Sequence, residues 1–197
     1  MKKQMQSLID EMPLRERLIL AGIEEIRTGG ISSLSLRRIA KICSVSSAAP
    51  YKHFENKQEF VIAVIDYISK QWDAQLEKVV SNIAPEDYRK QLISISLEYI
   101  RFLVENPHFR SIIMLKDEGL TPEQIKLKSQ LSEGSRQVIA KYCQSVNMSD
   151  DRRIIKTFIV RSIIYGAALM MDNGEMEYTD DNMNEISKTI EREFDLG

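Results

Sequence analysis

Hydrophobic positions recur every three or four residues along almost the whole chain, which is the spacing of amphipathic helices. No segment keeps the strict alternation of hydrophobic and polar residues that marks a half-buried strand. The first helical stretch ends at Gly29-Gly30, and its apolar face carries Leu18, Ile19, Gly22, Ile23 and Ile26. The pattern therefore predicts an all-α protein of about nine helices.

Between residues 35 and 60 the predicted helices are short and closely spaced. Ser35 is expected to cap a second helix, and Ser44-Val45-Ser46 has the composition of a tight turn. A third helix is predicted from about Ser47 to Phe54, with Pro50 in or beside its first turn. Two short helices joined by a tight turn form a helix-turn-helix pattern, and Asn56 then caps a long fourth helix.

Start signals of helices also mark the second half of the chain. Thr121-Pro122-Glu123-Gln124 combines an N-cap, a first-turn proline and a capping-box glutamine, while Ser149 or Asp150, and then Thr179, open two further helices. A chain of 197 residues, 43% of them hydrophobic, can bury one large core or two small ones. We expect a helix-turn-helix domain of three helices over residues 1–57 and a helical bundle over residues 58–197, linked by the long helix.

The net charge of −2 conceals an uneven distribution of charge along the chain. Residues 1–57 carry a net charge of +4 and residues 58–197 a net charge of −6. The positive excess lies in residues 30–57, which contain one acidic residue, Glu55, and five basic residues, Arg37, Arg38, Lys41, Lys52 and Lys57. A basic segment on an acidic body indicates a polyanionic partner, with a solvated charged face as the alternative.

The sequence offers little chemistry for a metal site or an enzyme. Cys43 and Cys143 are predicted to be buried thiols, and the two histidines do not share metal-ligand spacing with them. Glu105-x-x-His108 matches half of a di-iron motif, but Asn106-Pro107 breaks the helix inside it. Nucleotide-binding and hydrolase motifs do not occur. We therefore expect no metal, no cofactor and no enzymatic activity, with a helical protein-interaction adaptor or an all-α enzyme using scattered carboxylates as alternatives.

The location of the protein is predicted from its apolar runs. The longest nearly apolar run covers residues 162–171, which is too short to cross a bilayer. The first residues lack the apolar stretch of a signal peptide. These features predict a cytoplasmic protein with no membrane partner.

The run SLRRIAKICSVSSAAPYKHFENKQEF, residues 35–60, closely resembles the DNA-binding signature of TetR-family transcriptional repressors. The resemblance is specific over residues 15–62, although Ser44 stands where the family usually has glycine. A second stretch, IIYGAALMMDNGEM over residues 163–176, is similar to the penultimate helix, used for dimerisation, of one large branch of the family. The resemblance implies a bacterial, nucleoid-bound repressor that binds double-stranded DNA at a near-palindromic operator as a homodimer, and that a small-molecule effector releases.

The resemblance places the third helix in the major groove, which is wide enough for one helix. Its small groups, Ser46, Ser47, Ala48 and Ala49, would allow a close approach of the backbone to the bases. Because small groups discriminate bases poorly, Arg37 and Lys52 are expected to contribute most of the sequence readout. Lys57 is expected to bind a phosphate together with the N-terminus of the fourth helix.

Three further residues complete the expected contacts with DNA. Tyr51 and His53 match positions that resemble phosphate-contacting residues of the family, and Ser35 is expected to cap its helix and touch the DNA backbone. Packing in the small core is the alternative role for Tyr51, and a structural hydrogen bond is the alternative for His53.

The resemblance also implies a ligand pocket within residues 86–172. Its candidate walls are Trp72, Phe102, Phe109, Met114, Tyr142, Phe158 and Tyr165, with ordinary core packing as the alternative for each of them. Arg161 lies within an apolar helix, and a charge there needs either a protein carboxylate or an acidic ligand as a partner.

The last two helices are the expected dimer interface. The penultimate helix is apolar on more than one face, which indicates two neighbours, and its small residues near Gly166 permit a close approach. The alternative is the central helix of a monomer core. The expected contacts are Ile155, Ile159, Ile163, Gly166, Ala167, Met170, Met183, Ile186 and Ile190.

Overall fold

The computed structural model describes residues 12–114, 120–130 and 132–195. Within these ranges the chain forms nine α-helices and one 3-10 helix and no strand, so the prediction of an all-α protein is confirmed. The helices are α1 (Leu14–Ser33), α2 (Leu36–Ile42), the 3-10 helix (Pro50–Lys52), α3 (Lys57–Ser81), α4 (Tyr88–Glu105), α5 (Pro107–Ile113), α6 (Pro122–Gln130), α7 (Glu133–Ser145), α8 (Asp150–Asp172) and α9 (Asp180–Asp195).

The predicted capping residues begin the helices they were expected to begin. The side-chain oxygens of Ser35, Asn56, Ser149 and Thr179 each accept a hydrogen bond from the backbone N–H three residues later. Thr121 and Gln124 form a reciprocal capping box, with N···O distances of 3.0 and 3.3 Å. These caps depend only on residues within one turn, which explains why the sequence predicts them.

The chain forms two compact units, and the first comprises Met1–Lys70 together with His108–Gln130. Its core packs α1, α2 and the first part of α3, with Phe54 and Phe60 in edge-to-face contact at a centroid distance of 4.8 Å. Gly22 of α1 lies against Phe60, because a Cβ atom at this position would come within 2.3 Å of the Phe60 ring. Gly30 has φ 72° and ends the regular part of α1, as Gly29-Gly30 predicted.

Helices α5 and α6 contribute to the first unit as well. The ring of Phe109 packs edge-on against Tyr67 at a centroid distance of 6.1 Å. The side-chain amide of Gln124 donates to the backbone carbonyl of Gln58 at 3.0 Å. The first unit is therefore larger than the helix-turn-helix segment itself.

The second unit comprises Gln71–Pro107 and Leu131–Gly197. Its core contains Trp72, which packs against Tyr99 and Phe102 at centroid distances of 4.6 and 5.4 Å. Tyr142 and Cys143 of α7 form a cluster with Leu92 of α4. Both cysteines of the chain are buried and free, as predicted.

Helix α8 is the one described helix that is long and apolar enough to cross a membrane by length and composition. Those two properties are weak evidence of a span, because core helices of soluble proteins share them. Lys156 is buried near the start of this helix, and its ammonium donates to the backbone carbonyl of Glu193 near the end of α9.

Candidate nucleic-acid interface and ligand cavity

The segment between α2 and α3 does not form the α-helix expected from about Ser47 to Phe54. Residues 47 and 48 form a turn, residue 49 is a bend, and only Pro50–Lys52 form a helix, of the 3-10 type. The N–H groups of Ala49, Lys52 and His53 donate to carbonyls three residues earlier. Pro50 has no N–H to donate to Ser46 four residues earlier, so a continuous α-helix through it would lack a hydrogen bond. The expected third helix is thus a run of tight turns.

The turn after α2 is a Schellman motif with serine at its left-handed position. Val45 N–H donates to the Ala40 carbonyl at 2.9 Å, and Ser44 N–H donates to the Lys41 carbonyl at 3.1 Å. Ser44 has φ 57°, a conformation that glycine adopts without strain. Ser44, which stands where the resembled family usually has glycine, is therefore the residue with the left-handed backbone.

The turn segment presents small polar groups and cations to solvent. Ser46, Ser47 and Ala48 are exposed, while Ala49 is half-buried. Arg37 and Lys52 are also exposed, and neither forms an ion pair within the part of the chain that the structure describes. Their charges are therefore available to a polyanion.

The other residues expected at the DNA surface differ in their surroundings. Tyr51 is 52% exposed, so core packing does not account for its side chain. His53 and Ser35 are half-buried, and the His53 ring lies 6.2 Å from that of Phe54. Lys57 begins α3, and its ammonium donates to the Ser32 carbonyl at 3.0 Å, which holds it near the end of α1.

Two basic residues of the segment have roles that the sequence does not distinguish. Arg38 forms an ion pair with Glu25 of α1 and also donates to the Ser33 carbonyl. Lys41 is exposed one helical turn after Arg37, on the same face of α2. Lys41 therefore extends the exposed cationic surface, whereas Arg38 connects α2 to α1.

A cavity of about 1040 Å³ lies within the second unit. Four of the eight predicted ligand-binding residues line it, namely Trp72, Tyr142, Arg161 and Tyr165. The other four do not line it, because their helices direct them elsewhere. Phe102 is buried against Trp72, Phe109 and Met114 belong to the first unit, and Phe158 is exposed.

The polar lining of this cavity comes mostly from residues that the sequence analysis did not select. Arg136 and Arg153 form ion pairs with acids three residues earlier on their own helices, at 3.4 and 3.0 Å. Tyr99 lines the cavity as well, and burial is the main cause that raises the pKa of its phenol. Aromatic residues are the usual sequence signal for a pocket, whereas isolated charges on amphipathic helices look like ordinary surface charges.

The residues expected at a dimer interface fall into three groups. Ala167, Met183, Ile186 and Ile190 are buried inside the second unit, so they are not available as surface contacts. Ile159, Ile163 and Gly166 are half-buried. Ile155 and Met170 are exposed, and their apolar neighbours on the α8 surface are Ile154, Phe158 and Leu169. The exposed face of α9 is instead polar and charged.

Metal-ligating side chains do not cluster in the described ranges. No group of three or more His, Cys, Asp or Glu residues is placed there so that it could hold a metal ion. The half motif at Glu105 and His108 is divided between two helices, and His108 instead pairs with Glu24 at 2.8 Å.

Comparison with known proteins identifies the N-terminal part of the chain. The sequence pattern of the family described as "Bacterial regulatory proteins, tetR family" matches residues 18–64, which include α1, α2, the turn segment and the start of α3. An uncharacterized HTH-type transcriptional regulator of Bacillus subtilis (strain 168), YerO, is 24% identical over 192 residues. The match covers 92% of this chain, which spans only 64% of the length of YerO.

Solved structures share the fold across nearly the whole chain. A TetR family transcription regulator from Marinobacter aquaeolei VT8 superposes with a TM-score of 0.76 at 20% identity, covering 96% of this chain and 97% of that one. The regulator FadR from Bacillus subtilis, in complex with stearoyl-CoA, superposes with a TM-score of 0.69 at 15% identity, covering 91% and 96%. At these identities the likeness shows a common fold. Together with the match over residues 18–64, it shows that the chain carries the N-terminal sequence pattern of the tetR family and has the fold of solved TetR family regulators.

Proposed function

We propose that this protein is a transcriptional repressor that binds near-palindromic double-stranded DNA as a homodimer and is released by a small-molecule effector. It acts in the bacterial cytoplasm, without a metal or an enzymatic activity. Residues 1–57 supply the DNA contacts in this proposal, and residues 58–197 supply the effector site and the dimer contacts.

One observation carries the DNA-binding part of the proposal. Arg37 and Lys52 are exposed without ion-pair partners in the described chain, and they flank the small exposed groups of the turn segment. Cations bind phosphates or base edges, and small groups allow the intervening backbone to approach the groove floor. A protein surface built only for solubility has no need for this combination.

The exposed apolar surface of α8 supports the homodimer. Ile154 and Ile155 are 58% and 59% exposed, and Phe158 is 71% exposed. When a second copy of the chain covers apolar side chains that share one helix surface, their removal from water lowers the free energy of the dimer. A two-fold axis would then place two DNA-binding surfaces on successive major grooves, about 34–36 Å apart.

The cavity of the second unit supports the effector. Its volume of about 1040 Å³ is sufficient for a small organic molecule. FadR from Bacillus subtilis, which shares the fold, is known as a complex with stearoyl-CoA. An effector acts if it binds more tightly to a conformer whose DNA-binding surfaces no longer match the groove spacing, and operator DNA then weakens effector binding by the same factor.

Selection of bound sequences from a random duplex pool, followed by fluorescence anisotropy on the selected duplex, tests the DNA-binding proposal. We expect near-palindromic sequences and an affinity that falls by orders of magnitude between about 50 and 200 mM salt, because cationic side chains release counterions from the phosphates. Absence of duplex binding at low salt would contradict the proposal, and partner binding that is insensitive to salt would favour a protein-interaction adaptor.

Sedimentation analysis of two matched variants tests the dimer. Phe158→Lys puts a charge on the exposed apolar surface of α8, so it is expected to shift the protein toward monomers. Val146→Lys changes an apolar residue that is 48% exposed at the end of α7, and it is expected to leave the dimer intact. If the parent and both variants all sediment as dimers, the dimer interface does not include the exposed apolar surface of α8.

A further inference from the structure

A solvent-exposed guanidinium group without a carboxylate partner borders the cavity of the second unit. Arg161 of α8 lines the cavity and donates to the Tyr165 hydroxyl at 3.2 Å, with its guanidinium carbon 5.5 Å from the centre of the Tyr165 ring. Within residues 12–114, 120–130 and 132–195 it forms no ion pair with an acid. The other three cations of the lining are occupied, two by acids on their own helices and Lys156 by a backbone carbonyl.

Tyr99 and Tyr165 extend this group into a set of hydrogen-bond donors. Their ring centroids lie 6.4 Å apart, and both side chains line the cavity. The Tyr165 hydroxyl accepts from Arg161, and a phenol that accepts one hydrogen bond can still donate its own proton. A phenol is protonated at neutral pH, and burial raises the pKa of Tyr99 further.

The wall beside these donors is aromatic and aliphatic. Trp72 lines the cavity with its ring 4.6 Å from that of Tyr99, and Leu92, Ile95 and Ile164 line it too. An apolar wall binds the body of a ligand, while a planar guanidinium with an adjacent phenol matches the two oxygens of a carboxylate.

We infer that this cavity binds an amphipathic monocarboxylate, whose carboxylate is held by Arg161 and the hydroxyl groups of Tyr165 and Tyr99 and whose apolar body packs against Trp72. The inference rests on the effector site of the proposed function and names its ligand class. A neutral ligand of the same shape would not form the charge-assisted hydrogen bonds with the Arg161 guanidinium and would therefore bind more weakly.

Calorimetric titration of the full chain, without DNA, tests this assignment. The probes are decanoate and 2-naphthoate, each compared with its neutral amide, decanamide or 2-naphthamide. We expect the better carboxylate to bind at least about tenfold more tightly than its amide, as charge-assisted hydrogen bonds are stronger than neutral ones. The tighter of the two carboxylates identifies an alkyl or an aromatic body. Quenching or enhancement of Trp72 fluorescence by decanoate would place that ligand in the cavity, since the chain contains one tryptophan.

Three variants separate the role of Arg161 from general effects. Arg161→Gln is expected to abolish the preference for the carboxylate, whereas Arg152→Gln, at an exposed position of α8 outside the cavity lining, is expected to keep it. Tyr165→Phe retains the ring and is expected to reduce the preference for the carboxylate over the amide. This second variant tests the inference if Arg161→Gln does not fold. Failure of both carboxylates to bind, equal binding of acid and amide, or an unchanged preference in Arg161→Gln would overturn the inference. Because the titration contains no DNA, none of these results decides the DNA-binding proposal, which the duplex selection tests separately.

Discussion

Arg38 of α2 and Glu25 of α1 form a two-point ion pair, with Nε–Oε1 and Nη2–Oε2 distances of 2.7 and 3.3 Å. The Glu25 side chain is only 11% exposed and also accepts from the Ser35 N–H at 3.2 Å. One carboxylate thereby connects the start of α2 with the preceding helix. The cationic segment of the sequence therefore contains a residue that stabilises the first unit from within.

Replacement of Glu25 is expected to destabilise the protein more than replacement of Arg38. Glu25→Ala removes the acceptor for both the Arg38 guanidinium and the Ser35 N–H, with an expected loss of about 1–3 kcal/mol in the free energy of unfolding. Arg38→Gln removes the guanidinium from a carboxylate that keeps its bond from Ser35, so its loss is expected to be smaller. Urea denaturation measures both, and equal losses would contradict the central position of Glu25.

Ser44→Gly is expected to stabilise the protein by about 1 kcal/mol, because Ser44 has φ 57° and glycine adopts this conformation without a Cβ clash. Ser46→Gly is the matched control. Ser46 has no positive φ, so glycine there only increases the flexibility of the unfolded chain and is expected to destabilise. Thermal or urea denaturation checks both changes. Stabilisation by both substitutions, or by neither, would refute the explanation from backbone strain.

Arg37 and Lys57 are expected to contribute to DNA binding in different ways. Arg37→Ala should change which duplexes emerge from a random pool, because an exposed guanidinium at the start of α2 can read a base edge. Lys57→Ala should weaken binding to all duplexes and lower the salt-dependence slope by about 1, as expected for a phosphate contact. A uniform loss of affinity in both variants would disprove this division of roles.

The stability of the first unit is expected to fall in alkaline solution partly through Tyr67. Burial, followed by the nearby Glu16 carboxylate, raises the pKa of Tyr67 to about 12. The folded state thus holds this proton more tightly than the unfolded chain, whose tyrosine pKa is about 10. The contribution of Tyr67 to the stability of the folded state is fully present below about pH 10 and is lost as the pH rises toward 12.

Tyr67→Phe checks this pH dependence through melting temperatures measured across the alkaline range. The variant lacks the phenolic proton, so its melting temperature is expected to fall less steeply with pH than that of the parent. Tyr51→Phe changes an exposed tyrosine and should leave the profile unaltered. Parallel profiles for the parent and Tyr67→Phe would show that Tyr67 does not contribute.

Sequence reasoning was accurate for several features that depend on neighbouring residues. Caps, helix starts, the break at Gly30 and the serine in a glycine position all involve contacts within a few residues, so their patterns are visible in one dimension. The predicted third helix was wrong, because Pro50 lies where a continuous α-helix would need its N–H, and the chain forms turns and a 3-10 helix instead. The helix predicted to start at Pro85 begins at Tyr88, and the single helix predicted from Thr121 to about Cys143 is two helices, α6 and α7.

The sequence by itself determined that this protein is helical, where most helices begin, and that a basic helix-turn-helix segment lies near the N-terminus. Tertiary structure alone decided which apolar stripes are core and which are surface. Ile190 and Phe158 occupy equally apolar stripes, yet one is fully buried and the other is 71% exposed. The same holds for charges, since Arg38 pairs with Glu25 while Arg161 meets only a tyrosine. Burial and pairing depend on elements distant in sequence. A helical period of apolar residues indicates that a face is apolar, but it does not indicate which element covers that face.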